Sequence, residues 1–390
     1  MIHTLFPTAA APYRGSPVHY HLLLTDHCNL CCTYCRGKAF LPGEIPAGPD
    51  LDLDWNLPAE LDLDLGRLYA FLARDPSPVL TFYGGEPLLR TDLIREIMAH
   101  APVERYMIQT NGLLLDRVDP DILLRFSTIL VSLDGPRDLT DRYRGSGTYD
   151  AVMRGLRRLQ SLGFRGEVIA RMTVAEATDI EEAVLHLAGC LAHPFTSLHW
   201  QLDANFSEDY RERDFARWAE TSYIPGIRRL VSRWVEEMGE HGGVPRWYPF
   251  LDTTEDLLHK RPSPLRCGSG HANYSILTDG SLSPCPIMAG MKAHYVGHIA
   301  TSDPMRLPQI PVGGECTGCH LLPFCGGRCL YASILRPWPA EARRTVCATV
   351  QGLHDALAGV LPAIRGHIAA GRIRVEDFAH EKYNGCEIIP

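Results

Sequence analysis

The sequence lacks the features that would assign it to several broad classes of protein. Its 390 residues carry a formal net charge of −8 at pH 7, whereas a general nucleic-acid binder would show a basic excess. No apolar stretch approaches the roughly 18 residues of a membrane span. Residues 1–6 show neither the basic start nor the apolar run of a signal peptide. We therefore expect a cytoplasmic protein that contacts neither nucleic acid nor membrane.

Cysteine is abundant, with 13 residues in a chain of otherwise ordinary globular composition. Disulfides are rare in the cytosol, so clustered thiols there favour metal or cluster ligation. The cysteines form a group near the start of the chain (Cys28, Cys31, Cys32 and Cys35), a group near its end (Cys267, Cys285, Cys316, Cys319, Cys325, Cys329 and Cys347) and two isolated residues (Cys190 and Cys386). The sequence assigns no role to Cys31, Cys190 or Cys386.

The first cysteine group has the spacing of a metal-cluster loop with one ligand missing. Cys28, Cys32 and Cys35 follow the pattern Cys-x3-Cys-x2-Cys, and no obvious fourth ligand stands beside them. Iron–sulfur clusters normally take four cysteine ligands, so this loop predicts a cluster with one open iron. Catalytic metal sites keep such a position open, whereas structural sites close it. The alternatives are a zinc site and a buried cysteine-rich turn.

The first half of the chain alternates short apolar segments with segments of helical periodicity. We predict strands over residues 19–25, 79–83, 106–110, 129–133, 167–174 and 197–203. We predict helices over residues 61–74, 91–101 (capped by Thr91), 120–126, 150–162 and 179–188. This alternation predicts an α/β fold with a parallel sheet and right-handed crossovers, curled into a partial (β/α)6 TIM-like barrel. The strand ends then meet at one mouth, where the cysteine loop follows the first strand.

A Gly-Gly-Glu turn follows the second predicted strand. Gly84 and Gly85 let the backbone approach a ligand closely, and Glu86 offers a carboxylate to a ligand ammonium group. A turn alone would also explain two glycines, but the motif gains weight because it follows the cysteine loop. Polar residues on the next strands extend this candidate cofactor-binding set, namely Thr110, Asn111, Ser132 and Arg171. For Asn111-Gly112 and Asp134-Gly135, simple turn chemistry is the alternative.

The second cysteine group is as regular as the first. Cys267 is followed after twelve residues by Gly280 and after four more by Cys285. The run Cys316-x2-Cys319-x5-Cys325-x3-Cys329 then precedes Cys347. Seven thiols in this order indicate iron–sulfur clusters. The alternative is a pair of zinc ribbons, because Cys316-x2-Cys319 alone is typical of zinc sites.

Together, these motifs resemble those of radical S-adenosylmethionine (radical SAM) enzymes that carry a C-terminal SPASM domain. The resemblance rests on the Cys28–Cys35 loop, the Gly84–Glu86 turn and the order of the later cysteines, and it covers about residues 18–360. It implies a [4Fe–4S] cluster on Cys28, Cys32 and Cys35 whose open iron binds the methionine moiety of SAM. Electron transfer from that cluster then cleaves SAM and yields a 5'-deoxyadenosyl radical.

The resemblance also implies one or two auxiliary [4Fe–4S] clusters in the second domain. Cys316, Cys319, Cys325 and Cys347 would hold the outer cluster, and Cys267, Cys285 and Cys329 would hold the inner one. No cysteine lies between Cys267 and Cys285, so the inner cluster lacks a fourth thiolate. The position could stay open for substrate, the cluster could be smaller, or the fourth ligand could be His271, Asn273 or Cys386.

The motifs also predict how the chain is divided. The segments are an N-terminal extension over 1–17, a radical SAM core over 18–241, a Pro- and Gly-rich linker over 242–264, a SPASM domain over 265–364 and a tail over 365–390. We expect the extension to be too short for a separate leader-peptide-binding domain. The sequence does not identify catalytic residues, although His199 and Asp203 at the end of the sixth strand are candidates for substrate contact.

The resemblance is closest to enzymes that modify ribosomally made peptides, as the run Val18–Phe40 indicates. We therefore expect a thioether bond or another oxidative crosslink in a peptide or protein substrate. Anaerobic sulfatase maturation, which forms formylglycine, ranks lower because Pro286 stands where that group typically has Asp. A small-molecule dehydrogenase ranks third, and a mere electron carrier would not need Glu86. The expected electron donor is a reductant such as flavodoxin or ferredoxin.

Overall fold

The computed structural model describes residues 17–35, 52–190, 195–204, 206, 209–335, 338–384 and 388–390. The chain divides into two compact units. The first unit draws on residues 1–131, 151–166 and 268–312, and the second draws on residues 132–150, 167–267 and 313–390. Most of the predicted N-terminal extension over 1–17 and the candidate ligand Cys386 lie outside the described residues.

The regular elements alternate between strand and helix over the first half of the chain. The strands are β1 (His19–Thr25), β2 (Val79–Gly84), β3 (Arg105–Thr110), β4 (Phe126–Ser132), β5 (Glu167–Val174), β6 (Ser197–Leu202), β7 (Asn273–Ile276), β8 (Ser281–Ser283) and β9 (Gly297–His298). The α-helices are α1 (Leu65–Leu72), α2 (Thr91–His100), α3 (Pro120–Leu123), α4 (Arg137–Arg144), α5 (Thr148–Ser161), α6 (Ile180–Ala188), α7 (Phe215–Trp218), α8 (Ile224–His241), α9 (Tyr248–His259), α10 (Leu322–Cys325), α11 (Leu330–Leu335) and α12 (Ala340–Ala369).

A mixed sheet forms the centre of the first unit. β1 pairs in parallel with β2 on one side and with β7 on the other, so that His19 lies opposite both Val79 and Asn273. β3 and β4 continue the parallel part beyond β2, and β8 and β9 add antiparallel pairs beyond β7. Every residue of β1 is buried, including the polar residues His19, His21 and Thr25.

The second unit contains a parallel strand pair and most of the long helices. β5 and β6 pair in parallel, with Ile169 opposite Ser197. α8 and α12 pack against each other, with Gly352 of α12 facing Ile224 of α8. Among the described residues, no helix is both long enough and apolar enough to cross a membrane.

All six predicted strands of the first half are present, with ends shifted by up to three residues, and the helices differ more. α1 begins at Leu65 because the Asp64 carboxylate caps it by accepting from the Gly66 N–H at 2.8 Å. The predicted cap Thr91 is wrong, since Thr91 is the first residue of α2 and Arg90 precedes it without a side-chain cap. α4 was not predicted, because its sequence is almost entirely polar.

Residues 242–264, which we predicted to be a linker, contain a helix. The segment is rich in proline and glycine, which favour a linker, but α9 occupies its middle. Pro249 stands in the first turn of α9, where proline is tolerated, and Tyr248, Phe250 and Leu251 are buried. The predicted domain boundaries themselves stay a prediction.

A buried ion pair fixes the turn that follows β4. Asp134 is fully buried and accepts from the Arg144 guanidinium through Nη2 at 2.7 Å and Nε at 2.9 Å. The Thr173 N–H donates to the same carboxylate at 3.0 Å. The turn alternative for Asp134-Gly135 agrees with this geometry, because the carboxylate is used inside the protein.

We predict that Arg144→Met lowers the free energy of unfolding by about 3–5 kcal/mol, because it leaves a buried carboxylate without its cation. Urea denaturation followed by tryptophan fluorescence measures this loss. The matched control is Arg137→Met in the same helix, whose ion pair with Asp150 is half exposed. It should cost only about 0–1 kcal/mol. Equal losses in the two variants would contradict the account of the buried pair.

Candidate functional site

Three cysteines of the first group lie on the loop that leaves β1 at its carboxyl end. Cys28 and Cys35 are exposed and Cys32 is half-buried, so their thiols are accessible to an incoming metal cluster. The loop is turned back on itself by the Cys35 N–H, which donates to the Cys32 carbonyl at 2.9 Å. The donor set of three thiols with one position left over fits a [4Fe–4S] cluster that keeps one iron open.

The Gly-Gly turn at the end of β2 lies directly against the start of this loop. The Gly85 N–H donates to the Thr25 carbonyl at 2.7 Å, and the Glu86 N–H donates to the His27 carbonyl at 2.8 Å. A Cβ atom on Gly85 would lie 2.2 Å from the His27 oxygen, and one on Gly84 would lie 2.3 Å from the Thr25 oxygen. Both glycines are therefore required by the approach of the protein's own backbone.

The Glu86 carboxylate is fully buried and receives three hydrogen bonds from its own chain. Oε1 accepts from the Thr110 hydroxyl at 2.7 Å and from the Leu88 N–H at 3.0 Å, and Oε2 accepts from the Asn111 N–H at 2.7 Å. Burial raises the pKa of Glu86, although these donors oppose the shift. In this arrangement Glu86 ties β2 to the end of β3, so its predicted contact with a ligand ammonium group stays a prediction.

Asn111 connects this strand-end network to the cysteine loop. Its Nδ2 donates to Asn29 Oδ1 at 2.7 Å and lies 3.6 Å from Cys28 Sγ. The Leu30 N–H also approaches Cys28 Sγ, at 3.4 Å. Although the residue is exposed, partial desolvation of its thiol raises the pKa of Cys28, and these two donors oppose that effect. The structure therefore brings the predicted residues Glu86, Asn111 and Cys28 together in one connected group.

The remaining predicted site residues of the core lie in the second unit. Ser132 is half-buried at the end of β4. Arg171 Nη2 donates to the Gln201 side-chain oxygen at 3.1 Å, and its Nη1 lies 3.5 Å from His199 Nδ1. His199 is fully buried, and burial holds its pKa well below the ordinary value. Asp203 forms an ion pair with Arg213 at 3.1 Å. Contact of these residues with a substrate stays a prediction.

A cavity of about 110 Å³ in the second unit collects most of the later cysteines. Burial raises the pKa of Cys325 to about 11, and burial with the neighbouring thiols Cys316 and Cys319 raises the pKa of Cys347. Metal binding must therefore displace protons from these thiols. The cysteines in the lining are Cys316, Cys319, Cys325, Cys329 and Cys347. Cys267 is half-buried in the same unit, and Cys285 belongs to the first unit.

Over the parts of the chain that the structure describes, Asp252, Glu255 and His380 are the one trio of possible metal ligands whose ligand atoms lie within 4.8 Å of one another.

The Asp252 trio is a site that sequence reasoning missed, since its members are far apart in the chain and form no motif. Lys382 Nζ lies 3.3 Å from carboxylate oxygens of both Asp252 and Glu255, and Arg266 pairs with Asp252. Burial alone would raise the pKa of Asp252, but Arg266 and His380 hold it far below its usual range. Because cations already neutralise these carboxylates, the trio is an ionic network of the fold.

Two of the candidate fourth ligands for the inner cluster lie in the first unit, where Asn273 is buried and His271 is half-buried. Asn273 Oδ1 lies 2.7 Å from His21 Nδ1, so this oxygen is already engaged by a neighbouring strand. Burial lowers the pKa of His271, which keeps its imidazole neutral, as metal ligation requires. Of the two, His271 is the better ligand, and this assignment stays a prediction.

Known proteins resemble the chain both locally and along most of its length. Fe-coproporphyrin III synthase of Methanosarcina barkeri is 37% identical over 148 residues, which is 36% of this chain and 34% of that protein. The chain thus spans about a third of that relative. Mycofactocin maturase MftC of Mycobacterium tuberculosis is 29% identical over 365 residues, covering 84% of this chain and 82% of that protein.

A solved structure shares the fold. The structure of anSMEcpe with bound AdoMet and the Cp18Cys peptide aligns with a TM-score of 0.65 at 17% sequence identity. The alignment covers 90% of this chain and 99% of that chain. The α/β fold with a predominantly parallel sheet and a cysteine-rich C-terminal region, as predicted from the sequence, is confirmed.

We predict that Gly85→Ala removes the iron bound by the first cysteine loop, because the new Cβ displaces the backbone at His27. After anaerobic reconstitution, the variant should hold about four fewer iron atoms per chain than the parent protein. Gly243→Ala is the control, since no atom lies within 4 Å of a Cβ there. Full iron content in Gly85→Ala would show that the turn does not position the loop.

The radical SAM superfamily profile matches residues 22–188. This range contains the three-cysteine loop, the Gly84–Glu86 turn and Asn111, which the hydrogen bonds described above join into one group. The match and the geometry therefore agree on where the functional centre of the first unit lies. We conclude that residues 22–188 of this chain form a radical SAM domain.

Proposed function

We propose that the protein is a radical SAM enzyme that oxidatively modifies a peptide or protein substrate, forming a thioether or another crosslink. The observation that carries this proposal is the similarity to a maturase, MftC, over 84% of the chain. The fold shared with anSMEcpe, a protein solved with a bound peptide, supports the same substrate class. We place the enzyme in the cytoplasm, with flavodoxin or ferredoxin as reductant.

The first site is assigned to the residues of the first unit. Cys28, Cys32 and Cys35 would hold a [4Fe–4S] cluster, and SAM would bind beside Gly84–Glu86 and Asn111. When bound, the cluster supplies the electron for reductive cleavage of SAM to a 5'-deoxyadenosyl radical. The protein's contribution is to orient these groups: Glu86 fixes the Asn111 backbone, and the Asn111 amide reaches the Cys28 side of the loop. Thr110, Ser132 and Arg171 are the further proposed SAM contacts.

The second site is assigned to the later cysteines. Cys316, Cys319, Cys325 and Cys347 line one cavity, which supports their assignment to one auxiliary cluster. Cys329 lines the same cavity, and with Cys267 and Cys285 it is assigned to the inner cluster. His199 and Asp203 remain the proposed substrate contacts. His199 is neutral and fully buried, so it would serve by hydrogen bonding rather than by charge.

Two other functions remain alternatives. The local similarity to Fe-coproporphyrin III synthase favours a small-molecule substrate, but it covers only 34% of that protein. Formylglycine formation remains the alternative within protein substrates, and Pro286 after Cys285 argues against it. Peptide crosslinking is preferred because the MftC similarity covers 84% of this chain and 82% of that protein.

We predict that the variant with Cys28, Cys32 and Cys35 all changed to Ala produces no 5'-deoxyadenosine. The parent protein, reconstituted anaerobically and given dithionite and SAM, should produce it in amounts that liquid chromatography quantifies. The triple variant should still retain iron and sulfide on the later cysteines, as measured by Mössbauer spectroscopy and elemental analysis. Zinc without iron in the variant would refute the second site, and undiminished 5'-deoxyadenosine would refute the first.

We predict that a Cys-bearing peptide encoded beside the gene loses two hydrogens when it is co-expressed with the enzyme. Oxidative closure of a crosslink removes two hydrogens from the substrate, and tandem mass spectrometry locates the linked residues. Co-expression with the triple cysteine variant is the control and should leave the mass unchanged. Conversion of Cys to formylglycine would decide for the alternative, and an unmodified peptide with an altered small molecule would overturn the peptide assignment.

A further inference from the structure

Arg328 has an unusual backbone conformation within the second cysteine group. It lies between Cys325 and Cys329, and its φ of 57° follows positive φ values of 66° at Gly326 and 90° at Gly327. At Gly326 a Cβ atom would lie 2.1 Å from the Pro264 carbonyl, so glycine is required there. Arg328 holds a left-handed conformation that favours glycine, yet it carries a long cationic side chain. Such a conformation persists only where the surrounding structure fixes it.

The Arg328 side chain is buried in the wall of the cysteine cavity. The residue is only 9% exposed, and its Nε has no hydrogen-bond partner. Its guanidinium lies 5.5 Å from the centre of the Trp338 ring, and it lines the cavity together with Cys325 and Cys347. In the described parts of the chain, no ion pair joins Arg328 to a carboxylate. Its interactions are with an aromatic face and with thiol groups.

A buried cation without a carboxylate requires another source of negative charge. Within the cavity that charge can come only from the cysteine sulfurs and what they bind, because the carboxylate of Glu315 is already paired with Arg343 at 3.1 Å. An iron–sulfur cluster held by thiolates carries net negative charge, and its reduction potential depends on nearby charges and hydrogen bonds. The environment of Arg328 matches that requirement.

We propose that Arg328 is the buried counter-charge of the iron–sulfur group held by the cysteine cavity, a positioning residue that raises the reduction potential of that group. The inference rests on the proposed function, which assigns a cluster to these thiols. Added electrons make the cluster more negative, so a fixed cation stabilises the reduced form most. Removing the cation makes the cluster harder to reduce.

The test uses the full chain with Cys28, Cys32 and Cys35 changed to Ala, so that only the later cysteines hold iron. Redox titration monitored by EPR is compared for this parent and for Arg328→Met, Arg328→Lys and Arg343→Met. Arg328→Met removes the charge while keeping an apolar chain, and Arg328→Lys keeps the charge. Arg343→Met is the matched control, because Arg343 lines the same cavity but is 34% exposed and paired with Glu315.

Arg328→Met should lower the equilibrium constant for one-electron reduction at least tenfold, which is a fall of about 59 mV. For Arg328→Lys and Arg343→Met this equilibrium constant should stay within about threefold of the parent value. Arg328→Lys keeps the buried charge, and Arg343→Met removes only a charge that solvent screens. An unchanged potential in a fully loaded Arg328→Met protein would overturn the proposal.

If Arg328→Met does not take up a cluster, its potential cannot be measured, and the iron and sulfide content of the variants is compared instead. Full loading of Arg328→Lys would then support the counter-charge, because charge alone would have restored the site. Equal loss of iron in both variants would overturn it in favour of a packing role. Zinc in place of iron in the parent would instead refute the cluster assignment of the proposed function, and the Arg328 inference would fall with it.

Discussion

The functional centre of the first unit depends on one backbone contact between neighbouring parallel strands. Two hydrogen bonds, at 2.7 and 2.8 Å, hold the residues after β2 against the residues after β1. Only glycine permits this approach, because a Cβ atom at Gly84 or Gly85 would overlap the carbonyl oxygens of Thr25 and His27. The cysteine loop begins at this point, so the position of its first thiol is set by main-chain geometry.

Glu86 extends the same constraint to the third strand. Its carboxylate is buried and surrounded by donors from Thr110, Asn111 and Leu88. Burying a carboxylate is costly, and three hydrogen bonds offset that cost while fixing the end of β3. Asn111 is thereby held where its amide meets the cysteine loop. The ends of these strands are thus joined by hydrogen bonds, so the residues that would contact a cofactor are held rigidly.

The sequence predicted the features that rest on spacing and on strand burial. Continuous apolar runs indicated the parallel strands, and β1 has the expected bounds. Regular cysteine spacing indicated which thiols to group, and five of them do line one cavity. These patterns are local, so they can be read without knowledge of tertiary contacts. The sequence predicted that Gly85 allows the backbone to approach another group closely. In the structure that group is the cysteine loop of the chain itself rather than a ligand.

The features that the sequence did not reveal depend on contacts between distant residues. α9 lies in a segment whose Pro and Gly content indicated a linker, and it is stabilised by burial of Tyr248 and Phe250. The sequence of α4 is polar and so gives no apolar periodicity, and the helix is held by Arg144, which pairs with the buried carboxylate of Asp134. Arg328 is inconspicuous between two cysteines until its backbone conformation and burial are known. Tertiary packing overrides local preference in each case.

The central claim is that the three thiols after β1 hold a cluster whose open iron binds SAM. Electron–nuclear double resonance on the reduced full-length protein, with SAM carrying ¹⁵N in its methionine amino group, tests this contact directly. The account predicts a hyperfine coupling between the cluster spin and the ¹⁵N nucleus that unlabelled SAM does not give. Absence of that coupling, with SAM shown to be bound, would contradict it.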